Sequence, residues 1–310
     1  MNAKIFRLVG LGLVLLVSGC SGKGPTPLTT LPSHTDLSPT ATRVSSLPTS
    51  TPEPEIVPSP TVERLPEALG LDPQDWMNWP ILPIITQDIV RTYEIGQALG
   101  RNPQAFSIFG DCQSEPEHFL GLYEEDESAY SQLPPTLQET VDYFAGSLNR
   151  KSPTTKSGTT TGALMWIKWH EGKHGCQNTE SPAECEVRIH NPAFVVFAIG
   201  THYESRNEQY MRILIEDLIA QGVVPILSTK ADNREGDHSI NLQTAQLAAE
   251  YYLPLWNFWA VTADLPDNGL VIRRGEERLG KIYFNEEVTQ RHRISALEML
   301  DMMWRTIEKQ

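Results

Sequence analysis

An α/β fold with a mostly parallel, helix-covered sheet is predicted by three features of this chain. Ala193 to Ile199 is a continuous apolar run, and Ala105 to Phe109, interrupted by Ser107, and Val223 to Leu227 are short apolar stretches, the pattern of strands buried on both faces. Stretches with helical apolar spacing alternate with them, as crossover connections in a parallel sheet require. Each run ends in a polar loop, so chemistry-bearing residues gather at the carboxyl rim, where open α/β sheets place their ligands.

The N-terminus comes before that domain and reads differently. Met1 to Gly19 has a basic start, Lys4 and Arg7, an apolar run from Leu8 to Val17, and small residues before Cys20. The run is short for a bilayer span and fits a secretion signal. The order Val17-Ser18-Gly19-Cys20 resembles the bacterial lipobox, which implies cleavage before Cys20 and lipidation of that residue. Residues 20–63 are then a Pro-, Thr- and Ser-rich tether, too poor in apolar side chains to fold. Residues 64–310 have the size of one α/β domain. The expected location is extracytoplasmic, with the membrane as a partner through the lipid. The formal net charge of −14, more negative still without Lys4 and Arg7, argues against a nucleic-acid partner.

Taken in order, Ile84 to Leu99 has helical spacing before the first strand. The strand Ala105 to Phe109 runs into Gly110-Asp111-Cys112, Glu115 to Phe119 opens a helix, and Thr136 to Phe144 forms another. Gly158 and Gly162 sit in a small-residue turn, where glycine permits close approach of a ligand or tight packing. The second strand, Ala193 to Ile199, ends in Gly200-Thr201-His202. The helix Tyr210 to Gln221 stops at Gly222, a good C-cap, and the third strand, Val223 to Leu227, leads into Ser228 to Asn233, which includes Lys230 and Asp232. Leu242 to Tyr252 is a helix, Leu253 to Phe258 a fourth strand, and Ser295 to Ile307 a closing amphipathic helix.

With Cys20 assigned to lipid, Cys112, Cys176 and Cys185 remain in an oxidising compartment. Cys176 and Cys185 bracket a short polar loop and are the economical disulfide; a bridge from Cys112 to either is the competing arrangement. The first arrangement leaves Cys112 as a free thiol at a strand end.

Gly110-Asp111-Cys112, Gly158 and Gly200-Thr201-His202 resemble the Gly-Asp-Ser block, the second-block glycine and the Gly-x-Asn block of the SGNH/GDSL hydrolase family. The resemblance spans most of 105–310 and implies a flavodoxin-like three-layer fold, ester hydrolysis and no cofactor. It implies Cys112 as nucleophile, supported by Asp111, Gly200 and Asp232, with the N–H groups of Cys112 and Gly158 and a His202 ring N–H as oxyanion donors. Three positions depart from the family: Cys112 replaces Ser, His202 replaces Asn, and the Asp-x-x-His near the C-terminus has no counterpart, His292 being preceded by Thr289. His238, after a neighbouring strand, is the best substitute base. A Cys112 beside an imidazolium or a helix N-terminus is expected to have a lowered pKa.

The partner is then an ester-bearing small molecule or glycan. Two other functions fit the same residues: a binding module that has lost its base, and a zinc site of Asp111, Cys112, His202 and His238. Trp256, Phe258 and Trp259 could stack on sugar rings, although alternation of Trp256 and Phe258 into the core is the plainer expectation.

Overall fold

A computed structural model describes residues 70–200, 206–274 and 282–308. The signal segment, Cys20, the tether, Thr201 and His202 lie outside the described residues. The first half contains α1 (Gln87–Ala98), β1 (Asn102–Gly110), α2 (Leu122–Glu125), α3 (Glu127–Ser131), α4 (Pro135–Tyr143), α5 (Thr161–Met165) and α6 (Pro182–His190). The second contains β2 (Pro192–Ala198), α7 (Glu208–Ala220), β3 (Val224–Ser228), α8 (Ser239–Glu250), β4 (Leu255–Trp256), α9 (Phe258–Thr262), β5 (Leu270–Val271), β6 (Tyr283–Phe284) and α10 (Glu286–Glu308).

Strands β1 to β4 make one parallel sheet in the order β1-β2-β3-β4, and β5 pairs with β6 antiparallel. Outside β1, a single parallel bridge joins Gly110 to Thr155, a residue that lies between β1 and β2 in the chain. Counting that bridge, the order is 2-1-3-4-5, the flavodoxin-like winding. Side chains satisfy the rest of this edge where another strand would stand. The Phe106 N–H donates to Ser147 Oγ at 3.3 Å, the His190 Nε2 lies 3.1 Å from the Phe106 carbonyl, and the hydroxyls of Thr154 and Thr155 donate to the Ile108 carbonyl at 2.7 and 2.6 Å. An exposed edge is thereby closed to strand addition.

The period of two along β2 divides its residues between two cores. Phe194, Val196 and Ala198 pack with α4 and α10, while Val195, Phe197 and the following Ile199 pack with α6, α7 and α8. The result is the expected three layers. Helix α7 ends as expected at Gly222, whose φ of +69° suits glycine, and α1 crosses directly over this turn. A Cβ at Gly96 would stand 2.0 Å from the Gly222 carbonyl oxygen. Gly96→Ala is therefore expected to destabilise the domain by about 1 to 3 kcal/mol through overpacking against backbone, read as a lower urea midpoint at unchanged slope.

Three expected elements differ. Glu115 to Phe119 forms turns, and the short helix α2 begins only at Leu122. The Pro116 carbonyl is taken by Phe119 and Gly121, which folds the chain back on itself. The fourth strand is confined to Leu255–Trp256, because Asn257 diverts the chain: its Nδ2 donates to the carbonyls of Trp76 and Trp79 at 2.9 and 3.2 Å, and α9 starts at Phe258. The closing helix starts at Glu286, two polar turns before Ser295, where apolar periodicity gives no signal. The Cys176–Cys185 disulfide is formed, with Cα atoms 5.3 Å apart, and Cys112 is a free thiol.

Candidate functional site

The carboxyl end of β1 is shaped by one buried carboxylate. Asp111, fully buried, accepts the Gln113 N–H at 3.1 Å on one oxygen and the Gly200 N–H at 3.0 Å on the other. The first bond caps a three-residue 3-10 turn, Cys112–Ser114; the second ties the ends of β1 and β2 together. Gly200 must be glycine, since a Cβ there would lie 2.7 Å from Asp111 Oδ2. Gly110 is equally constrained, with Ser114 Cβ 2.5 Å from its would-be Cβ, and Ser114 Oγ donates to the Ala198 carbonyl at 3.0 Å. The Gly-Asp pair is thus explained by packing and by this carboxylate bridge.

Cys112 follows, half-buried. Its thiol is pushed up to about 11, first by burial and then by the negative charges of Asp111 and Glu115, which outweigh the N–H groups of Cys112 and Gln113. This reverses the expected lowering of its pKa. The turn is too short to supply a helix dipole, and among the described residues the charges that act on the thiol are the carboxylates of Asp111 and Glu115.

Gly158 has a φ of +84° in an exposed turn, and the preceding Ser157 N–H donates to Glu115 Oε1 at 2.6 Å. The turn bearing this glycine is therefore tied to the segment that carries Cys112. His238 follows β3, as expected, and caps the start of α8. Its backbone adopts φ +55° at the start of α8, and its ring lies between Trp76 and Trp259, with centroids 5.8 and 6.0 Å away. Its Nδ1 is buried without a partner, and none of the described hydrogen bonds links it to Cys112. His202, two residues past Gly200, is outside the described residues.

Asp232 belongs to an ion cluster behind this rim. Buried Lys230 donates to Asp232 Oδ1 at 2.7 Å and Glu235 Oε2 at 2.5 Å, leaving Asp232 Oδ2 and Glu235 Oε1 unpartnered. Arg206, also buried, donates to the carbonyls of Ile199 and Ser228 at 2.8 and 2.6 Å and to Thr244 Oγ1 at 2.9 Å. Burial lowers its guanidinium to about 10, opposed by Asp232, Asp111 and Glu235. Sequence flagged Lys230 and Asp232 by position; nothing in it marked Arg206 or Glu235 as buried.

His292 was the other residue sequence passed over. It lies in an aromatic box with Phe119, Phe258, Phe284 and Trp256, ring centroids 4.3, 4.5, 5.2 and 5.3 Å away, and burial depresses it to about 3. Trp256 and Phe258 are core residues, as the plainer expectation had it. His292, Gln113, Ser114, Arg206, Lys230 and Asp232 line a cavity of about 20 Å³, room for roughly one water. Among the described residues, no three His, Cys, Asp or Glu side chains are grouped to hold a metal ion.

No protein-family model matches the chain, and no curated protein matches it. Among solved structures, one similar chain is a GDSL-like lipase from Bacteroides thetaiotaomicron VPI-5482. It is 16% identical, with 71% of this chain and 97% of that chain covered, at a TM-score of 0.37. A likeness this loose leaves the α/β fold to rest on the strand order itself.

Proposed function

We propose that the chain is an ester hydrolase on an SGNH-like frame, with Cys112 as nucleophile, held outside the cytoplasm by lipid on Cys20. The observation that carries this reading is the Asp111–Gly200 bond of 3.0 Å, because it starts the segment bearing His202 beside the Gly-Asp-Cys block. With a pKa near 11 the thiol is protonated at neutral pH, so its proton must leave during attack. His202, given the base's role in place of the oxyanion role because His238 Nδ1 is enclosed and its ring packs on Trp76 and Trp259, accepts that proton as Sγ bonds to the ester carbonyl carbon. The N–H groups of Cys112 and Gly158 receive the oxyanion. Collapse breaks the C–O bond, the alcohol leaves with the proton, and water then hydrolyses the thioester with His202 again relaying the proton.

A second reading, a binding module without turnover, is favoured by the raised thiol pKa. Hydrolysis of p-nitrophenyl acetate separates the two. Hydrolysis is expected in the unaltered chain and should fall at least about 100-fold in Cys112→Ala and in His202→Ala. Loss on His238→Ala instead would make His238 the base, and no turnover by the unaltered chain gives the binding module.

A further inference from the structure

Glu115 stands out around Cys112 because its charge works against a thiol nucleophile. Its carboxylate and that of Asp111 both disfavour the thiolate. Asp111 is explained by its bonds to Gln113 and Gly200. Glu115 instead reaches across 42 residues of chain, where its Oε1 accepts the Ser157 N–H at 2.6 Å.

That N–H belongs to a tight turn. The Thr159 N–H donates to the Lys156 carbonyl at 3.1 Å, and Gly158, third of the four residues, has a φ of +84°, whereas the φ of Ser157 is not positive. This is a type II turn with glycine where the turn requires it. Its flanks are fixed. On one side Thr155 bridges Gly110 and donates its hydroxyl to the Ile108 carbonyl at 2.6 Å. On the other, Lys156 Nζ sits 4.2 Å from the Trp169 ring centroid and donates to the Trp169 carbonyl at 2.8 Å. Glu115 is the contact that reaches the centre of the turn from the segment bearing Cys112. None of the described hydrogen bonds takes up the Gly158 N–H, the next along the chain.

We propose that Glu115 is a positioning residue for the oxyanion site: by holding the Ser157 N–H it fixes the following peptide, which carries the Gly158 N–H, relative to Cys112. This rests on the hydrolase reading, in which that N–H receives the oxyanion. In this role Glu115 meets no reacting atom. A bond from an amide to a carboxylate is roughly twice as strong as a neutral one, and a misplacement of about 1 Å in a site can cost about 100-fold in rate. A carboxylate that disfavours the thiolate therefore earns its place through the turn it holds.

The test is p-nitrophenyl acetate hydrolysis by the full-length chain and its variants, with urea unfolding of each to show that it is folded. Glu115→Ala removes the charge and the acceptor, whereas Glu115→Gln removes the charge and keeps an acceptor oxygen. Both should lower the alkylation midpoint of Cys112 alike, so the difference between their kcat values reads the bond alone. Glu115→Ala is expected to lie tenfold or more below Glu115→Gln. Ser157→Pro approaches the bond from its other end: proline suits the second position of a type II turn, lacks the N–H and leaves the Glu115 charge in place. It should lower kcat by a similar factor while the alkylation midpoint stays where it is, and it carries the test if Glu115→Ala does not fold. In the Ser157→Pro background Glu115→Ala and Glu115→Gln should have equal kcat, because the bond in which they differ is already gone. Equal kcat for the two in the unaltered background would overturn the positioning role and keep the hydrolase. A difference that persists undiminished beside Ser157→Pro would do the same, since Glu115 would then act through something other than this bond. No turnover by the unaltered chain would sink the hydrolase reading and the positioning role with it.

Discussion

Acidifying the chain from pH 6.5 towards pH 3 is expected to remove up to about 4 to 5 kcal/mol of stability through His292 alone. The imidazole is 4% exposed and its pKa is lowered to about 3, first by burial and then by the charge of Arg293. In the unfolded chain the same ring takes a proton near its ordinary value of about 6.5. Between these values the unfolded state holds more protons, so stability falls as pH falls and the neutral-ring contribution is complete only above about 6.5. The sum matters because a domain of this kind has about 5 to 15 kcal/mol in all. His292→Phe should retain the ring contacts to Phe119, Trp256, Phe258 and Phe284 while abolishing the titration. Urea unfolding at pH 7, 5 and 4 gives the answer as a difference between the two proteins, which cancels the acid sensitivity of every other buried group. Parallel stability curves for the two would show that His292 is not held neutral.

The strands β1, β2 and β3 were legible because each is buried on both faces and so is written as a mostly apolar run, broken in β1 only by the buried Ser107. Helices α1, α4, α7 and α8 were legible for the complementary reason, an apolar stripe at helical spacing. What failed to read from sequence was whatever depends on one side chain reaching a distant backbone. Asn257 ends β4 by bonding to Trp76 and Trp79, and Ser147, Thr154 and Thr155 close the β1 edge. Composition gives no sign of either. In the site, position was legible and electrostatics was not. Gly110, Asp111 and Gly200 stand at the predicted rim, but the bond between Asp111 and Gly200 joins residues 89 apart, and the sign of the Cys112 shift is set first by how deeply the thiol is buried and then by the carboxylates of Asp111 and Glu115. Arg206 shows the same limit, since a charged residue after a polar loop reads as solvated until its carbonyl partners are known.

Iodoacetamide should label Cys112 slowly at neutral pH, with a rate that climbs about tenfold per pH unit until about pH 11. At pH 8 roughly a thousandth of this thiol is ionised, against about a quarter of an unperturbed one with pKa about 8.5. Burial is the largest cause, so no single substitution should restore an ordinary value. Glu115→Gln, which removes one of the two carboxylate charges, should lower the midpoint and speed labelling at neutral pH. Asp111→Asn removes the other, but it also disturbs the cap on Gln113 and the bond to Gly200, so Glu115→Gln is the cleaner measurement. An alkylation midpoint at or below about 8.5 would refute the buried, carboxylate-faced thiol. The ester-hydrolysis profile should then part from the alkylation profile. Alkylation consumes thiolate already formed and follows the thiol to about 11, whereas attack assisted by His202 draws the proton off during reaction and follows the base, levelling well below 11. Two superimposable profiles, both still rising at pH 10, would mean that free thiolate alone does the chemistry and that His202 contributes no proton transfer.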